Sequence, residues 1–381
     1  MQSRTADAPG VDSPGNDRLG DALQNVDLTP QALSQARTLP AALYRDGRIA
    51  MLERTAVFAR HWQYLGHTSE LRDAQDTLLT ELVGIPVIVA RTPGGFLAHH
   101  AVCRHRAGPL ETCRGGGRTF LRCRYHGWSY DLEGRLLDAP EMRGAKEFDP
   151  KNYSLPRIEV SVFHGLLFGR WTAETPPLTD GLEGISARLA AAGHDLERLR
   201  FHERVNYDID CNWKTYIDNY LEGYHVPHVH PTLDDILDYR SYTTELGRCY
   251  SLQSSPLRSS PDAYGSGEAL YYFIYPNTML NILPGRLQTN RVLPLRGNRC
   301  RVQFDFLYLG PSNPTDRGFS DQVQQEDIAI CEAVQRNLDG GSYQSGPLNP
   351  DRESGLWHFQ ELLRRDYKAA ITAAAADASP P

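Results

Sequence analysis

The stretch CRHRAGPLETCRGGGRTFLRCRYH, residues 103–126, decides what kind of protein this is. It holds two cysteine–histidine pairs, Cys103-Arg104-His105 and Cys123-Arg124-Tyr125-His126, with seventeen residues between His105 and Cys123. Each pair can offer one thiolate and one imidazole to a metal, and the Arg-Gly-Gly-Gly-Arg between them (114–118) reads as loop. Zinc accepts Cys2His2 sets, but its usual spacing pairs cysteine with cysteine and histidine with histidine. Mixed pairs suit a [2Fe–2S] cluster in which one iron keeps two thiolates and the other takes two histidines. Replacing two anionic ligands by neutral imidazoles raises the reduction potential.

The rest of the composition is that of an ordinary globular protein. A length of 381 residues allows two domains with separate cores, and 40% hydrophobic with 23% charged residues fits that class. The formal net charge of −7 gives no global reason to expect nucleic acid or an anionic membrane as a partner. Apolar runs fall far short of the ~20 residues of a spanning helix. The opening MQSRTADAPGVDSPGNDRLGD has no apolar core that could serve as a signal peptide. Seven cysteines are present and two belong to the pairs; Cys113, Cys211, Cys249, Cys300 and Cys331 are scattered and are expected to be free, as in a reducing cytoplasm.

Outward from the cysteine–histidine pairs, the pattern is β. VIVAR (87–91), a Thr92–Gly95 turn and FLAHHAV (96–102) form one hairpin leading into the first pair. TFLRC (119–123) and GWSYDLEGRL form a second, with Glu133-Gly134 at its turn. His99 and His100 end a strand and are expected to be structural. This all-β domain runs over 61–174, closed by LLFGRW (166–171). Residues 1–38, rich in Asp, Gly, Pro and Ser, read as a disordered or loosely attached arm. Residues 39–60 carry a helix with Ile49, Leu52, Val57 and Phe58 on one face. A second domain spans 175–370, with helices expected at 184–192, 214–225, 321–338 and 352–368. Its strands are expected at 205–214, 270–275, 289–295 and 299–308, and a flexible tail at 371–381.

That second domain contains another possible metal site. His225 and His230 stand five apart, about 140° around a straight helix. Pro227 between them bends the chain and can bring both rings to one point; His228, at i+3 from His225, is the competitor. A carboxylate would complete a facial triad that leaves open positions for O2 and substrate on Fe(II). Asp327 falls on the flank of Val323, Ile330 and Val334 in QVQQEDIAICEAVQ (322–335), but spacing alone leaves the acid open.

Here a family resemblance enters. C-x-H-x17-C-x2-H followed by Gly127-Trp128-Ser129-Tyr130 resembles the Rieske motif of ring-hydroxylating oxygenase large subunits, and DNYLEGYHVPHVH (218–230) resembles their catalytic motif. The resemblance implies an α+β fold, a small all-β Rieske [2Fe–2S] domain inserted in a helix-grip catalytic domain of antiparallel sheet plus helices. It implies Cys103, His105, Cys123 and His126 as cluster ligands. It implies His225, His230 and Asp327 as ligands of a mononuclear Fe(II), with Glu332 completing a D-x4-E pattern. Glu222 would be the bridging acid that links a cluster histidine of one subunit to an iron-ligand histidine of its neighbour in a homotrimer. The co-substrate would be O2, with electrons drawn from NAD(P)H through a separate flavin/iron–sulfur reductase or ferredoxin.

Two features depart from the aromatic-ring dioxygenases. The bridging acid is Glu rather than Asp, and the segment before it is one residue shorter. Both are shared with the branch acting on choline, glycine betaine and carnitine, which segments 269–290 and 334–363 also resemble. A quaternary ammonium or betaine-like substrate is therefore favoured, with N-demethylation or C-hydroxylation as the outcome. Hydroxylation of an aromatic acid and a non-enzymatic Rieske electron carrier are the alternatives. Pocket candidates are Asn219 and, on one strand, either Tyr271, Phe273 and Tyr275 or Tyr272 alone, with Tyr264 nearby; aromatic faces hold quaternary ammonium ions. Arg286 and Arg291 could instead clamp a carboxylate. Six arginines (104, 106, 114, 118, 122 and 124) around the cluster loops against one acid, Glu111, would steer an acidic reductase.

Overall fold

The computed structural model describes Leu23 and residues 26–115, 118–258 and 267–377; Tyr264 and residues 1–22 lie outside the described residues. Contacts divide the chain into a unit at Ala59–Thr175 and a second made of the segments before and after it.

The inserted unit is antiparallel β throughout. One sheet has the order β1-β10-β9-β4-β3-β2, from β1 (Gln63–His67), β2 (Thr77–Leu82), β3 (Ile85–Thr92), β4 (Gly95–His100), β9 (Arg157–Phe163) and β10 (Leu166–Arg170). A second has the order β5-β6-β7-β8, from β5 (Leu110–Gly115), β6 (Arg118–Cys123), β7 (Ser129–Tyr130) and β8 (Leu136–Asp138). The Thr92–Gly95 turn closes the expected β3–β4 hairpin. The RGGGR segment differs from expectation. Arg114 pairs with Thr119 and Gly115 with Arg118, so β5 and β6 are themselves a hairpin, and most of that loop is strand. Glu133-Gly134 turns the chain between β7 and β8, while the second cysteine–histidine loop joins β6 to β7. Trp128 and Tyr130 anchor the core under the loops, with Ile88, Ala101, Leu110 and Leu121 packed around them; Cys103 and Cys123 belong to the same cluster.

The larger unit centres on a seven-stranded antiparallel sheet ordered β11-β17-β16-β15-β14-β13-β12. Its strands are β11 (Arg200–Ile209), β12 (Thr243–Leu246), β13 (Tyr250–Pro256), β14 (Glu268–Ile274), β15 (Thr278–Leu283), β16 (Arg286–Pro294) and β17 (Cys300–Tyr308). Helices α1 (Ala42–Arg45), α2 (Gly47–Ala56), α3 (Ile185–Ala191), α4 (Trp213–Tyr220), α5 (Val226–Val229), α6 (Pro231–Asp234), α7 (Pro314–Asp339) and α8 (Ser354–Asp377) accompany it. Asn212 caps α4 by accepting from the Lys214 amide, which fixes where that helix starts. No helix among the described residues is long and apolar enough to cross a membrane.

Four expectations are corrected. Residues 26–38 are not a loose arm. Thr38 N–H donates to the Gly346 carbonyl, Leu348 N–H to Ala36 and the Trp357 indole to Gln31, so this segment is stitched to the chain around α8. The expected tail at 371–381 is helix as far as Asp377, because an alanine run has the highest helix propensity and simply extends α8. On α7 the buried side is Gln324, Cys331, Gln335 and Leu338, whereas Val334 is exposed; polar residues are inside because they hydrogen-bond to the helix opposite. All seven cysteines are free, yet not all are scattered: Cys211 and Cys300 bring their Sγ atoms to 3.9 Å.

Candidate metal centres and active-site cavity

The two cysteine–histidine loops share one construction. The Ala107 amide donates to the Cys103 carbonyl and the Gly127 amide to the Cys123 carbonyl, both at 3.1 Å. Each turn ends on a left-handed residue, Ala107 at φ +54 and Gly127 at φ +76. The turns put both thiols inside the core, while His126 is exposed and His105 half-buried. The rings of His105 and His126 meet at 4.7 Å. His105 stacks on Trp128 at 4.9 Å and 6° between planes, which holds its orientation. Tyr130 Oη lies 3.3 Å from Cys103 Sγ and takes the Arg104 amide, and the Tyr125 amide donates to Cys123 Sγ at 3.4 Å. N–H donors aimed at sulfur stabilise thiolate charge and tune a cluster's potential.

Two observations test whether these residues fit a cluster. His105 Nδ1 is buried with no hydrogen-bond partner, a cost of the kind a metal bond removes. A Cβ at Gly108 would stand 2.6 Å from Cys123 Sγ, so only glycine allows the first loop to approach the second cysteine. Both fit a group held between the loops by two sulfurs and two nitrogens.

The second centre is assembled from distant segments. The sequence pattern predicts one helix bent at Pro227. Instead α4 stops at Tyr220, and Pro227 sits in the first turn of the new helix α5, where its missing N–H costs nothing. His225 precedes α5 and His230 follows it, so the break, not a kink, turns both rings the same way. Gly223 makes the break possible, since a Cβ there would meet the Tyr242 ring at 2.9 Å. Across from them, α7 presents Asp327.

One ligand atom each from His225, His230 and Asp327 lies within 4.8 Å of the others. His230 Nε2 is 3.0 Å and His225 Nε2 3.9 Å from Asp327 Oδ1. The outer nitrogens are both occupied: His225 Nδ1 by Glu222 Oε1 and His230 Nδ1 by Glu326 Oε2, each at 2.7 Å. A carboxylate only accepts, so each Nδ1 carries a proton; without a metal His230 Nε2 also donates to Asp327 Oδ1, and it would give up that proton to turn a lone pair toward a metal. Two imidazole nitrogens and one carboxylate oxygen are the facial set that suits non-haem Fe(II). Asn219 Nδ2 donates to Asp327 Oδ1 at 2.6 Å and orients it. Burial works against a charged His230, but Asp327 and Glu326 outweigh it and raise its pKa in the metal-free site. Glu326, the immediate neighbour of Asp327, carries no signal in the sequence, and only the fold turns it to the opposite nitrogen of His230. His228 is exposed and outside the donor set.

A cavity of about 100 Å³ opens beside this centre, lined among others by Tyr216, Tyr220, Tyr242, Tyr271 and Phe304, with Asn219, Gln253, Asn281, Arg286, Gln288 and Asn290 between the rings. Of the strand candidates only Tyr271 lines it. Phe273 and Tyr275 share its face, but that end of the sheet is covered by α8. Phe273 packs on Phe359 at 5.4 Å, and Tyr275 donates to Asp366. Tyr272 points to the opposite face, toward Tyr250. Arg286 lines the cavity and pairs with Asp316 beneath it, whereas Arg291 is buried away from it, since strand alternation gives the cavity to 286, 288 and 290.

Known protein families match the chain over both units. Residues 61–149 match a model described as a Rieske [2Fe-2S] domain, and residues 196–369 one described as the ring hydroxylating alpha subunit (catalytic domain). The chain is 35% identical to the chloroplastic choline monooxygenase of Arabidopsis thaliana over 88% of its own length and 84% of that protein's. It is 27% identical to the carnitine monooxygenase oxygenase subunit of Escherichia coli K12, covering 91% and 97%. A solved quaternary ammonium Rieske monooxygenase, described with carnitine oxidation and inter-subunit electron transfer, superposes with a TM-score of 0.80 at 25% identity, covering 88% and 96%.

Proposed function

The chain belongs to the Rieske non-haem iron oxygenases, and from that premise we propose that it hydroxylates a quaternary ammonium or betaine-like compound at a carbon bonded to nitrogen or close to it. The observation that carries the substrate class is the aromatic lining of the cavity beside His225, His230 and Asp327. Each ring facing a quaternary nitrogen contributes about 0.5–2 kcal/mol. The named activities of the Arabidopsis and Escherichia coli relatives support the same class. Arg286, its charge shared with Asp316, would orient a carboxylate where the substrate is a zwitterion.

The overall reaction is C–H + O2 + 2 e⁻ + 2 H⁺ → C–OH + H2O. Cys103, His105, Cys123 and His126 would hold the [2Fe–2S] cluster, and His225, His230 and Asp327 the single iron; bound there, these groups supply one-electron transfer and O2 chemistry. Glu222 and Glu326 keep the two histidines in one tautomer. Asn219 fixes the carboxylate, and the tyrosines position the amine and exclude bulk water. Where the hydroxylated carbon is an N-methyl group, the product collapses with loss of formaldehyde.

Electrons would come from NAD(P)H through a separate reductase or ferredoxin docking on the exposed Arg104, Arg106, Arg122 and Arg124. In a homotrimer, Glu222 would accept a further hydrogen bond from His105 or His126 of the neighbouring subunit. The free cysteines favour a reducing cytoplasm as its location. The test is O2 uptake and formaldehyde release by the chemically reduced holoprotein with choline, glycine betaine, carnitine and benzoate. Uptake with an amine supports the reading. Uptake with benzoate alone moves it to aromatic acids, and no uptake with about two irons per chain leaves an electron carrier.

A further inference from the structure

A second cavity, of about 420 Å³, lies behind the iron centre in the same unit. Asn219, Glu222 and His225 line both cavities and so form the wall between them. On the far side the wall faces Tyr44, Asp218 and Cys331. Asp218 stands four residues before Glu222, at the same level of the chain as the wall. Nothing in the reading above uses it.

Its hydrogen bonds come from neutral groups. The Tyr44 hydroxyl donates to Asp218 Oδ2 at 2.5 Å and Gln360 Nε2 to Oδ1 at 3.4 Å; Gln360 also reaches Tyr44 Oη at 3.2 Å and is itself held by the Leu39 amide. The nearest cation on its own helix, Lys214, is taken by Glu53 at 2.5 Å, an acid also bound by the Trp213 indole and the Tyr367 hydroxyl. Glu353, near the start of α8, adds like charge. A carboxyl group so placed, bonded by neutral donors and lining a cavity large enough for water, can hold a proton and return it.

We propose that Asp218 is a proton donor to the iron centre, acting through the second cavity from the side opposite the substrate. This rests on the oxygenase reading, whose reaction consumes two protons for each C–H bond hydroxylated; burial, with Asp218 beside it, holds the Tyr44 pKa well above its ordinary value. Burial, the largest influence, pushes the Asp218 pKa up to about 7, against the hydrogen bonds from Tyr44 and Gln360 and the charge of Lys214, which lower it. It is therefore a donor near neutral pH and is spent as pH rises through that value.

Two measurements on the full-length holoprotein test this. Infrared titration without amine or reductant reads Asp218 directly and does not depend on what the enzyme hydroxylates. A protonated-carboxyl band fading near pH 7 is expected, absent in Asp218→Asn and fading at higher pH in Tyr44→Phe, because loss of the Tyr44 hydrogen bond removes an influence that lowers the pKa. Turnover of the reduced protein is then followed with choline as the probe amine, in H2O and D2O, from about pH 6 to 9. Asp218→Asn is expected to slow product formation by about 100-fold below pH 7, to abolish the decline above it, and to change the solvent isotope effect. Tyr44→Phe should carry the decline to higher pH. A slower Asp218→Asn enzyme that keeps the parent's pH profile and isotope effect overturns the proposal. So does a band that does not respond to Asp218→Asn.

Discussion

The two candidate metal centres are built on opposite plans. The four cluster residues lie within 24 positions of one another on two loops that repeat the same turn, and their geometry follows from local backbone bonds and one glycine. The iron residues come from a helix break and from a helix 97 residues further on, and their geometry depends on how those helices pack. The outer sides differ as well. His126 is exposed, whereas His225 and His230 have their outer nitrogens bound by Glu222 and Glu326 of the same chain. One centre leaves a histidine ring open to the surface, while the other braces both of its histidines from within the chain. A local site is robust to changes elsewhere and fragile to one misplaced atom; a packed site is the reverse.

That contrast can be broken at several points, the most damaging first. Asp327→Ala should reduce O2 uptake to background and lower iron from about three to about two per chain while the cluster's visible spectrum persists; loss of both centres together would mean that they are not independent. Gly108→Ala should do the converse, removing the cluster spectrum while metal analysis still finds the single iron, because a methyl group 2.6 Å from Cys123 Sγ leaves the loops no room to close. Glu326→Ala, which frees His230 Nδ1, should weaken iron binding by about 10- to 100-fold in a chelator competition and leave the cluster untouched. Equal loss at both centres would contradict the separation. Glu222→Gln should keep both metals yet turn over several-fold more slowly per cluster reduced, and full turnover would remove it from the electron path. Tyr271→Ala sharpens the substrate side alone, raising KM for a quaternary amine by about 0.5–2 kcal/mol, a few-fold to about 30-fold, with kcat nearly kept.

The same contrast explains what could be read from the residues. The cluster loops, the hairpin into them and the β character of that unit were legible because ligand spacing and turn residues are local properties. That His225, His230 and Asp327 come together was legible only with the help of the family resemblance, since helical spacing puts the histidines about 140° apart and gives no reason to choose Asp327 over Glu326. Strands β13 and β15 escaped notice because both of their faces are covered, which erases the alternation that marks a half-exposed strand. Phe273, Tyr275 and Arg291 were misplaced for a related reason. Alternation says which residues share a face, but not that α8 covers one end of it. Glu326, the stitched segment at 26–38 and the second cavity all depend on residues far apart in sequence, and no window along the chain contains them.

The stitching has a practical edge. The Leu39 amide holds Gln360, and Gln360 holds Asp218, so the polar and irregular residues just upstream of Leu39 are coupled through two hydrogen bonds to the interior behind the iron. Trimming them to tidy an expression clone, the edit their composition invites, would loosen the backbone that sets Gln360 against Asp218.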